Sequence, residues 1–188
     1  AKKKGIRITC DTAPPYFLLN ENALLNYDTS FKISPPLRTE DDRIAVIEGI
    51  QDGTIDVIAS DHRARSKDTK IQPFSAASIG AAGIETLFLL TLELVHKRLI
   101  DLKKAISLIS FNPSKVLKIK EPTLEQNEDA TFIIFDDSVN NTINQKDLMF
   151  SPTPFDGRNV KGKILATFIQ GNASHVDPIL KQRLLNEF

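Results

Sequence analysis

The sequence predicts an α/β fold: part of a (β/α)8 barrel followed by the strands of a small β module. Three observations lead there. Up to about residue 120, short apolar strand patterns alternate with helical ones, the order expected of βα units. Beyond Lys120 the patterns are mostly strands and turns. The chain has 188 residues, whereas a complete barrel takes roughly 250, so there is room for about three of the eight units. The expected organisation is a partial barrel over residues 1–120, β-module strands over 121–175, and a tail or helix over 176–188.

Each element follows from its own local signal. Ile6-Arg7-Ile8-Thr9-Cys10 alternates and is β-branched, which reads as a short strand after the Lys2-Lys3-Lys4 run. A polar, proline-rich loop spans Asp11 to Arg38. Thr39 and Asp42 form a capping-box pattern, and Ile44, Ile47 and Ile50 then recur at helical spacing until Gly53. Ile55 to Ala59 is an apolar run of the kind found in strands buried on both faces. Glu85 to Lys97 reads as a helix, and Asp101 caps another that runs to about Ile109. Asn112-Pro113 looks like an N-cap with proline in the first helical position, opening a short helix to Leu117. Ala130 to Phe135 and Val160 to Gln170 are strands, with turns at Asp156-Gly157 and Gly171-Asn172. Pro178 to Phe188 reads as a terminal helix. The sequence has no internal repeat.

Composition narrows the function classes. With 41% hydrophobic and 26% charged residues the chain has the balance of a globular protein. Its formal net charge is zero, so no overall field draws it to nucleic acid or an anionic membrane. The Lys2–Lys4 run reads as a solvated helix end. A single cysteine, Cys10, excludes an intramolecular disulfide and points to a reducing compartment. The most apolar stretch, Ile79 to Val95, is broken by Glu85 and Glu93 and is too short and polar to span a bilayer. The expected location is the cytoplasm.

Chemistry-bearing residues are few. Asp61 and His62 follow the Ile55–Ala59 strand directly, at the end where the loops of a βα barrel build active sites. A carboxylate there can ligate a metal or take a proton from metal-bound water, and an Asp-His pair can equally serve as a cap or surface hydrogen-bond pair. Arg38 can bind a substrate carboxylate or pair with Glu40 or Asp41. His96 and His175 have no ligand neighbours at zinc spacing and read as structural. Cys10 reads as a small buried hydrophobe. Gly80, Gly83, Pro35 and Pro36 read as loop-shaping residues.

Six of these stretches, in order and in register, resemble the second half of a dihydroorotase of the type I, multifunctional-complex kind, within the amidohydrolase superfamily. They are Gly5 to Asp11, Tyr27 to Arg38 (with Pro35-Pro36-Leu37-Arg38), Asp52 to His62, Gly80 to Thr86, Asn112 to Lys115, and Thr153-Pro154-Phe155-Asp156-Gly157. The coverage runs from about residue 2 to 175. Hydantoinases share the superfamily, and the Pro-Pro-Leu-Arg and Thr-Pro-Phe-Asp-Gly stretches favour the dihydroorotase branch. The resemblance implies the C-terminal part of an amidohydrolase barrel and a cyclic amidohydrolase of pyrimidine biosynthesis, which interconverts N-carbamoyl-aspartate and dihydroorotate. It also implies zinc ions bridged by hydroxide and an aspartate that shuttles the proton. Asp61 matches that aspartate, as catalytic residue and metal ligand.

The departures from the family pattern fall on site positions. Where the family has Thr-Pro-His-His, this chain has Ala13-Pro14-Pro15-Tyr16, so Pro15 occupies a zinc-ligand position. Ser34 stands for a substrate-binding asparagine, and Arg65 for a substrate-contacting histidine. These changes imply a catalytically degenerate homologue, with zinc absent or reduced in this chain, and a structural or regulatory role. Aspartate transcarbamoylase is the implied partner, alongside homo-oligomerisation. The other reading is an active zinc-dependent dihydroorotase, with Arg38, Ser34 and Arg65 on the substrate. A partial barrel would leave sheet edges unpaired, so a longer native polypeptide or tight self-association is expected.

Overall fold

The computed structural model describes residues 1–186, the last four by their backbone path alone. Two short strands, β1 (Asp11–Thr12) and β2 (Val57–Ile58), pair in parallel with Asp11 opposite Val57 and Thr12 opposite Ile58. Between them lie helices α1 (Pro14–Leu18) and α2 (Glu40–Asp52). After β2 come α3 (Lys67–Lys70), α4 (Leu87–His96), α5 (Leu102–Ile106) and α6 (Asn112–Leu117). The remainder is an antiparallel sheet of β3 (Phe132–Thr142), β4 (Asn159–Ile169) and β5 (Asn172–Val176), with β4 in the centre, and then α7 (Pro178–Asn186). Phe188, the expected end of that last helix, lies outside the described residues.

The capping box is formed as the sequence predicts. Thr39 Oγ1 accepts the Asp42 backbone N–H at 3.2 Å, and the Asp42 carboxylate accepts the Thr39 N–H at 3.2 Å. Gly53 ends the helix at φ 81°, a conformation that a Cβ would strain. Replacing Thr39 by alanine is expected to cost about 1 kcal/mol in urea unfolding; an unchanged midpoint would mean that the cap contributes nothing here.

Four expectations are corrected. Ile6–Cys10 forms no strand: among the described residues a neighbouring chain is reached only at Cys10, whose carbonyl accepts the Asp56 N–H at 2.9 Å, and Ile6 and Ile8 are exposed. Cys10 is exposed rather than buried, its thiol donating to the Thr54 carbonyl at 3.0 Å. Lys2 is not a purely solvated side chain: it pairs with Asp56 at 2.6 Å and donates to the carbonyls of Gly53 and Thr54 at the end of α2. Asn112 caps no helix start. The chain from α5 to α6 is continuous through a π turn at Ser107–Phe111, placed where Pro113 has no N–H to return to the preceding turn. The Asn112 amide instead donates to the Asp56 carbonyl at 2.7 Å.

The proline-rich segment is also more ordered than a loop, since it holds α1 and two 3-10 turns, Glu21–Leu24 and Thr29–Phe31. Gln170 and Gly171, both at positive φ, make the two-residue turn between β4 and β5, and His175 lies on β5 opposite Thr167.

Helix α4 joins the two parts of the molecule. Leu94 packs with Phe17, Ile50, Ile58 and Leu108 on the βα side, while Leu90 packs with Ile143, Phe155 and Val160 on the β-module side. That double burial explains why α4 is apolar around most of its circumference. Glu93, mostly buried in the same helix, meets the Arg158 guanidinium through both oxygens at 2.5 and 2.9 Å and Lys97 at 3.2 Å. Burial alone would raise its pKa, but the bidentate Arg158 contact, aided by Lys97, outweighs that and holds it below the ordinary glutamate range. Among the described residues no helix is long and apolar enough to cross a membrane.

Candidate functional site

The parallel register of β1 and β2 sets the geometry of the site. Both strands end on the same side, so Thr12 leads into α1 and Ile58 leads through Ala59 and Ser60 to Asp61. Asp61 sits in the left-handed region at φ 45°, a conformation that aspartate tolerates better than most residues.

The surroundings over-determine that turn. His62 donates its backbone N–H to Ser60 Oγ at 3.3 Å, and its ring Nδ1 accepts the N–H groups of Gly83 and Ile84, each at 3.3 Å. The ring also stands edge-on to Phe150, 4.8 Å between centroids. The Arg63 N–H donates to the Ala81 carbonyl at 2.8 Å. Gly83 lies so close that a Cβ there would come within 2.4 Å of the Ser60 carbonyl oxygen. His62 is therefore a fastener of the turn, and its Nδ1 is committed to the backbone.

Beside Asp61 opens a cleft of about 580 Å³, lined by Tyr16, Leu19, Pro35, Arg38, Asp42, Val46 and Asp61 among others. Two cations line it. Arg43 is occupied, bonded to Glu40 and donating to the Phe17 carbonyl at 3.0 Å. Arg38 is loosely held: its side chain is 69% exposed and its Nε lies 3.9 Å from the Asp42 carboxylate. The partner is thus Asp42 rather than Glu40 or Asp41, and the contact is weak enough to yield to a ligand anion.

Of the other expected site residues, Ser34 is exposed on the lip just before Pro35 and is not among the cleft-lining groups. Arg65 is exposed too, and its Nε donates to the Ile79 carbonyl at 2.9 Å, outside that lining. Asp61 and Arg38 are brought together; Ser34 and Arg65 do not join them. Pro15 is buried and shares with Asp61 a residual cavity of only about 10 Å³, room for about one water.

The residue that sequence reasoning missed is Tyr16. Its hydroxyl lies 3.1 Å from the Pro35 carbonyl and 3.4 Å from Asp61 Oδ2. Burial, reinforced by the neighbouring carboxylate, pushes the phenol above its ordinary pKa, so it stays protonated and acts as donor. The signal lies in its position, beside Pro15 in a departed motif, but the pattern names the ligand lost at Pro15 rather than the group next to it.

The donor set does not suit zinc. Pro15 offers no donor atom, Tyr16 keeps its proton, and the His62 ring has only Nε2 uncommitted. Among the described residues no group of three or more His, Cys, Asp or Glu side chains converges. Asp61 is the one carboxylate here at the expected ligand position. This chain's residues do not by themselves fit the metal that the resemblance implies.

Comparison with known proteins agrees with the fold and the sequence motifs. The amidohydrolase family model matches residues 16–173. The dihydroorotase of Anaplasma phagocytophilum is 39% identical over 173 residues, covering 91% of this chain and 39% of that protein. The dihydroorotase of Desulforapulum autotrophicum is 40% identical over 172 residues, covering 90% of this chain and 40% of its own length. The chain therefore spans about two fifths of the length of these curated relatives. Among solved structures, the L-hydantoinase (dihydropyrimidinase) of Arthrobacter aurescens superposes with a TM-score of 0.86 at 23% identity, over 93% of this chain and 41% of that one. The D-hydantoinase of a Thermus species gives 0.82 at 22%, over 94% and 41%. At these identities the structural likeness speaks for the fold alone. With the family model spanning most of the sequence, the chain belongs to the amidohydrolase family.

Proposed function

We propose that this chain is part of a dihydroorotase-type protein of pyrimidine biosynthesis that no longer turns over cyclic amides and acts in a structural or regulatory role. In this reading residues 1–120 contribute to a (β/α)8 barrel and 121–175 to its β module. One observation carries it: the Asp61 carboxylate, the position that matches the family's proton-shuttling aspartate, faces a protonated Tyr16 hydroxyl at 3.4 Å, with buried Pro15 where the resemblance expects a metal-binding histidine. With one proton for two acceptors, the Tyr16 hydroxyl lies between the Pro35 carbonyl at 3.1 Å and Asp61 Oδ2 at 3.4 Å and stands beside the carboxylate. Zinc is the family's metal by resemblance, and this chain's share of its ligands is reduced to Asp61.

The partner proposed is aspartate transcarbamoylase, with self-association of the protein alongside it. Co-purification of the full-length protein with that enzyme is the expected result; sedimentation as separate species at micromolar concentrations would count against a structural role of this kind.

A second reading is favoured by Arg38, the loosely held guanidinium in the same cleft as Asp61. It could grip a substrate carboxylate while Asp61 accepts an N–H or a proton. Under that reading Asp61→Asn abolishes the hydrolysis of dihydroorotate by the full-length protein, and undiminished turnover would remove Asp61 from the chemistry.

A further inference from the structure

Lys70 is buried to 4% relative exposure, and among the described residues no carboxylate pairs with it. Its ammonium donates to three backbone carbonyls: Thr29 at 2.5 Å, Ser78 at 3.1 Å and Lys32 at 3.3 Å. Those acceptors belong to two different segments, and Lys70 itself ends α3, so three loops on the Asp61 side meet at one nitrogen. Neighbouring bonds run the same way. Thr29 Oγ1 donates to the Lys70 carbonyl at 2.6 Å, and the Gly80 N–H donates to the Lys32 carbonyl at 2.9 Å. The Lys32 ammonium reaches back to the carbonyls of Phe74 and Ser75 at 2.7 and 2.9 Å.

A buried lysine is costly to keep, because its charge is desolvated, and here burial together with the nearby Lys32 pushes its pKa down. Three well-placed acceptors offset that cost only if the loops stay where they are. The segment it holds, Thr29 to Lys32, runs straight into Ile33 and Leu37, which are buried against Ala81, and ends at Arg38 on the cleft. Placement of that guanidinium thus depends on an anchor that never touches the cleft.

We propose that Lys70 is a positioning residue of the cleft, fixing the lip from Thr29 to Arg38 and with it the place of Arg38. The inference rests on the reading of this cleft as one that takes a carboxylate-bearing cyclic amide or its open form. The test uses the full-length protein with Lys70→Met, Lys70→Arg and, as a variant destabilised elsewhere, Leu108→Ala. Two readouts are taken: affinity for N-carbamoyl-aspartate by calorimetry, and amide hydrogen exchange at Gly80.

Lys70→Met is expected to weaken binding by about tenfold and to speed Gly80 exchange by at least as much, while Leu108→Ala leaves both near the parent values. Lys70→Arg keeps the charge without reproducing three convergent bonds, and is expected to fall between; it decides the matter if Lys70→Met does not fold. Parent-like affinity and exchange in the Lys70 variants would overturn the proposal, as would equal losses in Leu108→Ala. If the parent protein takes none of the compound, the reading of the cleft's ligand fails by itself. Gly80 exchange then still decides on Lys70, faster exchange supporting the anchor and unchanged exchange refuting it.

Discussion

Replacing Glu93 by glutamine is expected to lower stability by about 3 kcal/mol, the low end for removing one partner of a buried ion pair. The low end applies because the Arg158 side chain is 26% exposed and water can partly recover its charge. The pair ties α4 to the turn before β4, so the loss falls on the contact between the βα part and the β module. Acid should reveal the same bond. Glu93 is held below its ordinary pKa, so its contribution is complete above that value and is lost as the pH falls through the depressed one. The gap between parent and Glu93→Gln should therefore be full at neutral pH and close on acidification. Urea unfolding at a series of pH values measures it, and a gap that does not change with pH would show that the pair is not the source of the effect.

The second large effect is expected at Gly83. An alanine there would bring its Cβ to 2.4 Å from the Ser60 carbonyl oxygen, and that neighbour is backbone rather than a flexible side-chain tip. Relief requires moving either the β2 end that carries Asp61 or the approach to α4, where Thr86 Oγ1 donates to the Gly83 carbonyl at 3.2 Å. Overpacking of this kind costs about 3 kcal/mol when the surroundings cannot yield. Gly83→Ala should also release the two N–H groups from His62 Nδ1, visible as faster amide exchange at Ile84. A folded variant with parent-like stability and exchange would contradict the close approach.

How far the sequence could be read depended on whether a signal was local. The Thr39–Asp42 box and Gly53 lie within one helix and its two ends, and the helix they announce is the one observed. Asp61 was placed by the strand before it, and β4 was bracketed by the turn signals at Asp156-Gly157 and Gly171-Asn172. Ile6–Cys10 alternates and yet forms no strand, because only Cys10 at its end meets the backbone of a neighbouring segment. The π turn before Asn112 was hidden since proline after a capping residue is also how a helix begins. Tyr16, Glu93 and Lys70 needed the fold itself: their partners lie 45, 65 and up to 41 residues away. A charged residue inside the apolar Ile79–Val95 run hinted at Glu93, whereas nothing near Lys70 distinguishes it from its surface neighbours.

In the function proposed above, Tyr16 and Pro15 take Asp61 out of catalytic use. Turnover of dihydroorotate by the full-length protein, assayed with added zinc beside an active dihydroorotase, tests it most directly. No hydrolysis above background is expected in the same hour in which the control consumes its substrate. Robust hydrolysis would contradict it, and would mean that the site works around Pro15, Ser34 and Arg65 with Asp61 still in play.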